Sequence, residues 1–350
     1  MVAAPERAAP AGRGEQSLSR LRVAQIGCGY WGPNLLRSFR AQPDAEVVAV
    51  AESSAQRRAF VESQFPGIRT VERPEEALDL ADAVILATPA ETHYPLARMA
   101  LGAGKHVLVE KPLARTAREV DELGTLARAG GKILMAGHTF LYHGVVREVR
   151  RMIEAGELGD LRYIYSQRLN LGRVRSDVDA LWNFAPHDVS IFQYWTGGKT
   201  PVKISRSGMA FLQSGIEDVC FLSLEYPHGP LGHIHVSWLD PVRTRRMVVV
   251  GSRKMAVYDD VADKKLAIHD KGVDVRAVLG EKMDYDLSGQ PPYAYKDGEV
   301  RWPHIPWKEP LQVQARHFLD CIRTGEEPLT GVHHAREVVA ILESASQRQR

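Results

Sequence analysis

The sequence contains few cysteines, no long apolar run and almost no excess of one charge. Its three cysteines, Cys28, Cys220 and Cys321, are odd in number and lie far apart, which excludes a disulfide framework and a CxxC metal site. No apolar stretch approaches the roughly 18 residues that span a bilayer. Lys and Arg together number 45 against 43 Asp and Glu, a formal net charge of +2. Because the basic residues are scattered along the chain, we expect neither a nucleic-acid partner nor a membrane partner.

What the sequence does contain is typical of an ordinary globular protein. It has 350 residues, of which 44% are hydrophobic and 25% are charged. That length suits two domains of about 150 residues each. Residues 1–20 are rich in Ala, Arg, Gly and Pro and lack the apolar stretch of a secretory signal, so we expect a flexible tail. The unpaired cysteines favour the reducing cytoplasm as the location.

The spacing of apolar residues divides the rest of the chain into two parts. Between residues 21 and 138, fully apolar runs such as VVAVA (47–51) alternate with amphipathic stretches, which predicts a parallel sheet covered by helices on both faces. Residues 139–350 begin with one helix, continue with longer alternating strands and end with two helices. This pattern predicts an α+β domain with a large open, mostly antiparallel sheet. Within it, the proline-rich residues 271–310 lack periodicity and are expected to form a long loop.

A glycine-rich turn follows the first predicted strand and opens the first predicted helix. It consists of Gly27, Cys28, Gly29, Tyr30, Trp31 and Gly32. In this context a GxGxxG motif lets the backbone approach a pyrophosphate, which then lies at the positive N-terminus of the helix. The turn therefore predicts a Rossmann dinucleotide-binding domain; a glycine turn without a ligand is the alternative.

An acidic residue, Glu52, ends the next predicted strand, twenty residues after Gly32. At that place a carboxylate accepts hydrogen bonds from the adenosine ribose and repels a 2′-phosphate, which favours NAD over NADP as the cofactor. Two alternatives stay open. Either Glu52 is a solvated acid at a strand end, or NADP binds in a phosphate pocket formed by the residues that follow it, Ser53, Ser54, Arg57 and Arg58.

Two further strand ends lie where an open α/β sheet binds its ligand. Thr88 and Pro89 follow one apolar strand and are predicted to line the ribose and nicotinamide, with His93 close behind them. The alternative is a helix start that is capped by a threonine. Glu110 and Lys111 end another apolar strand and are followed by a proline, a place where few structural roles require a lysine. We therefore expect both residues beside the cofactor.

These motifs together resemble the Gfo/Idh/MocA family, whose name stands for glucose-fructose oxidoreductase, inositol dehydrogenase and rhizopine catabolism. The resemblance extends from Leu21 to the C-terminal helix and is carried by GCGYWG, ATPAETH, GKHVLVEKP, GELG and PHDVSI. It implies a Rossmann domain followed by a domain whose open sheet often forms oligomer contacts, so we expect a homodimer or homotetramer. It also implies hydride transfer between a nicotinamide and a hydroxyl of a sugar, cyclitol or sugar nucleotide.

The resemblance also implies which residues are catalytic. The family's catalytic lysine corresponds to Lys111 in the Glu-Lys-Pro motif, and its catalytic histidine to His187. Many members carry an aspartate four residues before that histidine and a glycine two residues before it, where this chain has Asn183 and Ala185. An asparagine cannot take up a proton. If a helix begins near Asn183, that residue lies one turn from His187 on the same face, and it either caps the helix or contacts the substrate.

Oxidation of a secondary alcohol requires two groups that converge on one oxygen. We expect His187 to act as the general base and Lys111 to stabilise the developing alkoxide. The two roles are exchanged if desolvation lowers the pKa of the lysine far enough. For His187, a buried and hydrogen-bonded core histidine is the structural alternative.

Further candidates for substrate binding lie in the second part of the chain. They are Tyr142, His143, Arg168, Asn170 and Asp188, and each of them has a structural alternative. Asp188, for example, caps a helix, pairs with an arginine or touches the substrate. The segment around Arg173 and Arg175 resembles the branch of sugar-nucleotide 3-dehydrogenases, such as those that act on UDP-N-acetylglucosamine. Arginine side chains suit a diphosphate, and the alternative is that both are solvated loop residues.

The prediction is therefore an NAD(P)-dependent dehydrogenase or reductase that acts on a sugar nucleotide. The alternatives are a dehydrogenase of inositol, another cyclitol or a free sugar, and a 3-keto-sugar reductase, because one site catalyses both directions. A sensor that binds the nucleotide without catalysis is a more remote alternative.

Overall fold

The computed structural model describes residues 20–275 and 293–347 of the chain. Over these residues the chain forms two β-sheets with helices packed against them. None of the helices in these two ranges is long and apolar enough to cross a membrane.

The first sheet is entirely parallel. Its strands are β1 (Leu21–Ile26), β2 (Ala45–Ala51), β3 (Arg69–Val71), β4 (Ala83–Leu86), β5 (His106–Glu110) and β6 (Leu134–Gly137). The connecting helices are α1 (Gly32–Arg40), α2 (Ala55–Gln64), α3 (Pro74–Leu78), α4 (His93–Gly102) and α5 (Ala117–Ala129). The strand order is β3-β2-β1-β4-β5-β6, which confirms the predicted Rossmann domain. Every residue of β4 is buried, because helices cover both faces of the sheet and leave no face for polar residues.

The second sheet is mixed and mostly antiparallel, as predicted. Before it come a short 3₁₀ turn (Thr139–Tyr142) and α6 (Gly144–Glu154), and α7 (Ala180–Trp195) follows its first strand. The strands are β7 (Leu161–Leu169), β8 (Lys203–Met209), β9 (Val219–Glu225), β10 (Leu231–Ser237), β11 (Thr244–Gly251), β12 (Met255–Asp259), β13 (Leu266–Val275) and β14 (Tyr293–Arg301). Their order is β14-β13-β12-β11-β7-β10-β9-β8, in which β7 and β10 run parallel.

The expectation of a long loop over residues 271–310 was wrong for residues 271–275 and 293–301, which form strands, whereas residues 302–309 are irregular as expected. Residues 271–275 continue β13, and β14 pairs with that strand in antiparallel fashion, with Val273 opposite Tyr295. Valine and tyrosine favour extended backbone, and this preference outweighs the prolines, which lie between and after the two strands. The part of the predicted loop at residues 276–292 lies outside the described residues.

The last two helices, α8 (Pro310–Thr324) and α9 (Val332–Ser346), pack beside the first sheet. Phe318 of α8 contacts Phe39 of α1, with ring centroids 6.2 Å apart and the rings edge to face. α9 packs between α5 and α7 and so joins the two sheets. In contrast, one face of the second sheet is open, and large side chains on it are exposed, including Tyr163 and Phe221.

Candidate functional site

The glycine turn between β1 and α1 is held by a buried glutamine. The side-chain amide of Gln25 donates to the carbonyls of Gly27 and Gly32, at 2.8 and 3.2 Å. Gly27 has a φ of +85°, and a Cβ there would lie 2.6 Å from Thr88 and 2.7 Å from the carbonyl oxygen of Ala87. Only glycine therefore fits at this position. The sequence analysis did not identify Gln25, although a polar residue within an apolar strand can indicate a functional position.

Glu52 faces this turn. Its carboxylate accepts hydrogen bonds from the backbone N–H of Cys28 at 2.7 Å and of Ser54 at 3.0 Å. Arg58 donates to the carbonyls of Glu52 and Ser53 and pairs with Glu72, and Ser54 caps α2. These side chains are engaged in local structure, so the arrangement favours NAD over the 2′-phosphate of NADP.

The residues around the turn fit a dinucleotide. The first turn of α1 has no side-chain cap and no acidic residue, which leaves its N–H groups available to an anion. A Cβ on Gly29 would meet nothing within 4 Å, so the turn is open on that side. Tyr30 and Trp31 are exposed at the rim, and burial raises the pKa of the Cys28 thiol to about 11. Cys28 therefore stays a neutral thiol and contributes its backbone N–H.

The ends of β4 and β5 are tied together by His93. Its ring nitrogens lie 2.7 Å from the carbonyl of Pro112 and 2.9 Å from that of Thr88, and the side chain is 1% exposed. His93 therefore lies beneath the site and positions the two strand ends, rather than facing the cofactor as expected. Thr88 is half-buried and accepts a hydrogen bond from Thr92, while Pro89 is exposed at the cleft.

Glu110 and Lys111 lie beside the glycine turn. The indole N–H of Trp31 donates to the Glu110 carboxylate at 3.1 Å. Gly137 at the end of β6 makes room for that carboxylate, because a Cβ there would lie 3.1 Å from its Cδ and Oε1 atoms. Burial raises the pKa of Glu110, whereas burial and the nearby cations Arg175 and Arg168 lower the pKa of Lys111 to about 8.

Helix α7 brings the second catalytic candidate to the same place. It begins at Ala180 and is capped by Asp179, which accepts a hydrogen bond from Trp182 N–H, so the interpretation of Asn183 as the helix cap was wrong. Asn183 and His187 still share one face of the helix. The Nζ atom of Lys111 donates to the backbone carbonyl of Asn183 at 3.0 Å. The lysine of the first sheet therefore touches the helix that carries His187.

The imidazole of His187 is neutral at neutral pH. Burial, followed by the charges of Lys111 and Arg168, lowers its pKa well below 6.5. Its Nδ1 atom is buried and has no hydrogen-bond partner among the described residues. The ring of Phe140 packs edge to face on it, with the centroids 5.1 Å apart. A neutral imidazole with an unused ring nitrogen can accept a proton.

Arg168 and Asp188 form a buried pair rather than two separate substrate contacts. The guanidinium of Arg168 donates to both carboxylate oxygens of Asp188, at 2.7 and 3.3 Å. The two residues are 6% and 1% exposed. Of the three possibilities for Asp188, the structure therefore selects pairing with an arginine. The pair connects β7 to α7 next to His187.

Of the remaining candidates for substrate binding, two have structural roles and one lines a cleft beside Lys111 and His187. Tyr142 is buried in the core beside α8, and its hydroxyl is 3.2 Å from that of Thr330. His143 caps α6 by accepting from Val145 N–H. These roles are structural, so neither side chain lines the site as expected. Asn170, which follows β7, does line a cleft beside the site.

The sequence analysis missed two groups of residues near Lys111 and His187. Arg243 and Arg245 line the same cleft as Asn170. His138 is buried with both ring nitrogens unpaired among the described residues, and it packs edge to face on His334 with centroids 5.3 Å apart. Nothing local in the sequence marks Arg243 or Arg245, whereas His138 directly follows β6, a strand end of the kind that predicted Thr88 and Lys111.

Fold and site together define an NAD-dependent oxidoreductase. A family model described as an oxidoreductase family with an NAD-binding Rossmann fold matches residues 21–138, and the GFO/IDH/MocA C-terminal domain matches residues 146–257. The chain belongs to the Gfo/Idh/MocA family, as its motifs suggested.

Named relatives are dehydrogenases with different substrates. The 4-carboxy-2-hydroxymuconate-6-semialdehyde dehydrogenase of Sphingobium sp. is 27% identical over 344 residues, which cover 92% of this chain and 96% of the relative. The UDP-N-acetylglucosamine 3-dehydrogenase of Acidithiobacillus ferrooxidans is 28% identical over 243 residues, which cover 68% of this chain and 74% of the relative.

A solved structure shares the fold over nearly the whole chain. It is an inositol dehydrogenase homolog from Azotobacter vinelandii in complex with NADH and myo-inositol. Its TM-score is 0.74 at 20% identity, and the match covers 95% of this chain and 96% of that one. The cofactor and enzyme predictions are confirmed by these comparisons, whereas the substrate differs from one relative to the next.

Proposed function

We propose that this protein is a sugar-nucleotide dehydrogenase or reductase in which Lys111 and His187 are the catalytic residues. The carrying observation is the 3.0 Å hydrogen bond from Lys111 Nζ to the carbonyl of Asn183, one helical turn before His187. This contact supports the proposal because it joins the Lys111 ammonium, which follows a strand of the first sheet, to α7, the helix that carries the neutral imidazole of His187. The relationship to UDP-N-acetylglucosamine 3-dehydrogenase supports the substrate class.

In the oxidative direction, one hydroxyl binds between these two side chains. Bound NAD supplies the acceptor for the hydride that leaves the carbon. The neutral ring of His187 takes up the hydroxyl proton, and the Lys111 ammonium stabilises the negative charge that develops on oxygen as the C=O bond forms. The buried Arg168–Asp188 pair holds α7 on β7 and so positions His187. The reduction of a keto sugar uses the same groups in reverse.

The test is turnover by the purified full-length protein. NAD or NADP is mixed with UDP- and dTDP-sugars, inositols and free hexoses, and nicotinamide absorbance is followed. We expect turnover with NAD and a sugar nucleotide, a loss of about 10²- to 10⁴-fold in Lys111→Ala, and none in Lys199→Ala, which alters an exposed lysine outside the site. Normal turnover by Lys111→Ala would refute the assignment.

A cyclitol or free sugar as substrate is the second candidate, favoured by the shared fold with the inositol dehydrogenase homolog. Turnover of an inositol but of no sugar nucleotide would establish it. If tight NAD binding is found without turnover in either direction, the protein acts as a nucleotide-binding sensor instead.

We further propose that two copies associate through the open face of the second sheet, in the cytoplasm. Exposed Tyr163, Phe221 and Leu231 on that sheet supply apolar area for a self-complementary contact. The three cysteines are free and buried, which supports a reducing compartment. Sedimentation analysis should give a dimer or tetramer, and Phe221→Glu should shift it toward the monomer.

A further inference from the structure

A basic cleft lies beside the catalytic pair. It has a volume of about 390 Å³ and is lined by Arg168, Asn170, Phe184, Arg243 and Arg245 among others. Phe184 follows Asn183, whose carbonyl binds Lys111, so the cleft adjoins the place where Lys111 meets α7. A volume in this range is enough for a small ligand or for one end of a larger one.

The register of the second sheet places two arginines of this cleft face to face. In the antiparallel pairing of β7 with β11, Arg168 is directly opposite Arg245. Side chains at opposed positions lie on the same face of a sheet, and like charges there are destabilising. Each arginine has its own acidic partner, Asp188 for Arg168 and Asp260 for Arg245, and both guanidinium groups border the same cleft.

The cleft has more positive charge than its acidic residues neutralise. Asp188 is engaged by Arg168, and Asp260 lies 3.6 Å from Arg245. Arg243 is exposed, and no hydrogen bond or ion pair of its side chain is found in the described part of the chain. The nearby Asp240 accepts the backbone N–H of Val242 instead. Arg243 is therefore available to an anion, and Arg245, whose contact with Asp260 is 3.6 Å long, lies in the same cleft.

We propose that Arg243 and Arg245 bind an anionic group of the substrate, a phosphate or a carboxylate, while its reacting hydroxyl lies at Lys111 and His187. This inference rests on the proposed function and identifies an anionic group as the part of the substrate that the cleft binds. Guanidinium groups bind both kinds of anion through paired hydrogen bonds. The two sources are the diphosphate of a sugar nucleotide and the carboxylate of a sugar acid.

The first test compares substrates that differ in charge. With NAD, the KM is measured for UDP-N-acetylglucosamine against N-acetylglucosamine and for glucuronate against glucose. Arg243→Gln and Arg245→Gln should raise the KM of the anionic member of a pair about 10- to 100-fold, and that of the neutral member much less. The matched control is Arg246→Gln, because Arg246 is the next residue on β11 and points to the opposite face.

The second test measures binding without turnover. Inorganic pyrophosphate or glucuronate is added to the protein with saturating NAD, which keeps the glycine turn covered, and thermal unfolding is followed. Either anion should raise the Tm of the wild type and of Arg246→Gln but not of the double variant Arg243→Gln/Arg245→Gln. Pyrophosphate alone points to a sugar nucleotide, and glucuronate alone points to a sugar acid.

The outcomes separate the two proposals. If no sugar turns over but the anions stabilise the wild type through the two arginines, the anion site stands and the proposed function fails. If sugars turn over but the arginine variants change neither the KM for anionic substrates nor the stabilisation by anions, the proposed function stands and the anion site is refuted.

Discussion

The cofactor side and the substrate side of the cleft are built in different ways. On the cofactor side, the residues come from consecutive strand ends at one edge of a parallel sheet, and backbone groups supply much of the binding surface. On the proposed substrate side, the residues come from β7, α7, β11 and their flanking loops, which are far apart in sequence, and three arginines line the cleft.

The difference determines which side of the cleft tolerates substitution in this protein. The glycine turn depends on close backbone contacts that tolerate no Cβ at Gly27. The arginine cleft depends on side chains, which can be exchanged one by one while the sheet is kept. The named relatives, which share the family but act on different substrates, fit this division.

The largest effect is expected from breaking the chemistry on the substrate side alone. His187→Gln keeps the size and polarity of the side chain but removes the proton acceptor, so kcat should fall about 10²- to 10⁴-fold, or about 3–5 kcal/mol in activation free energy. Single-turnover nicotinamide absorbance measures this, and an NAD titration should give the wild-type Kd. A near-normal rate would mean that another group takes the proton.

A second prediction concerns the stability of the substrate side. Asp188→Asn removes the partner of buried Arg168 and leaves its charge uncompensated, which should lower the free energy of unfolding by about 3 kcal/mol. Urea unfolding measures the change. Asp177→Asn is the control, since the Asp177–Arg175 pair is exposed and contributes at most about 1 kcal/mol. Equal effects of the two substitutions would show that the buried pair is not structural.

A third prediction contrasts two glycines of the cofactor side. Gly27→Ala should destabilise the protein by about 1–3 kcal/mol, because its φ of +85° is strained for alanine and its Cβ would meet Ala87. Gly29→Ala, with open space around its Cβ, should leave Tm unchanged and raise the KM for NAD. Thermal unfolding and NAD kinetics together decide. An unaffected KM in Gly29→Ala would place the pyrophosphate elsewhere.

The smallest expected effect is the pH dependence of kcat/KM, which depends on the protonation states of both His187 and Lys111. His187, whose pKa is well below 6.5, is neutral from about pH 6.5 upward and can act as base. Lys111, with a pKa lowered to about 8, is protonated below that pH and loses its proton above it. The kcat/KM for alcohol oxidation should therefore be flat from about pH 6.5 and fall about twofold at pH 8. A profile that instead rises through pH 8 would make Lys111 the base.

Local motifs allowed the cofactor side to be predicted from sequence. The glycine turn, Glu52 and the Glu-Lys-Pro segment each lie within a few residues of a strand end, so hydrophobic periodicity was enough to place them. The helix α7 was expected to begin near Asn183, but it begins three residues earlier, at Ala180, and Asp179 provides the cap. Helix ends depend on single side-chain contacts, which composition does not reveal.

The substrate side could not be predicted to the same extent. Arg168 and Asp188 were both singled out, but their pairing depends on how α7 lies on β7. Arg245 was recognised as a site residue only because β11 pairs with β7 and places it opposite Arg168, a long-range contact that the sequence does not reveal. Tyr142 and His143 were predicted to lie near the site because they closely follow β6. In the structure, Tyr142 is buried in the core and His143 caps α6.

The position of α8 limits how the protein can be cut or recombined. Phe318 and Leu319 are fully buried in the same layer as Leu35 and Phe39 of α1. In topological terms the second sheet is an insertion within the first unit, not an appendage after it. A fragment that ends at residue 138 would expose the apolar side of α1 to water and aggregate. Chimeras that exchange the substrate side between relatives therefore need two junctions, one before α6 and one before α8.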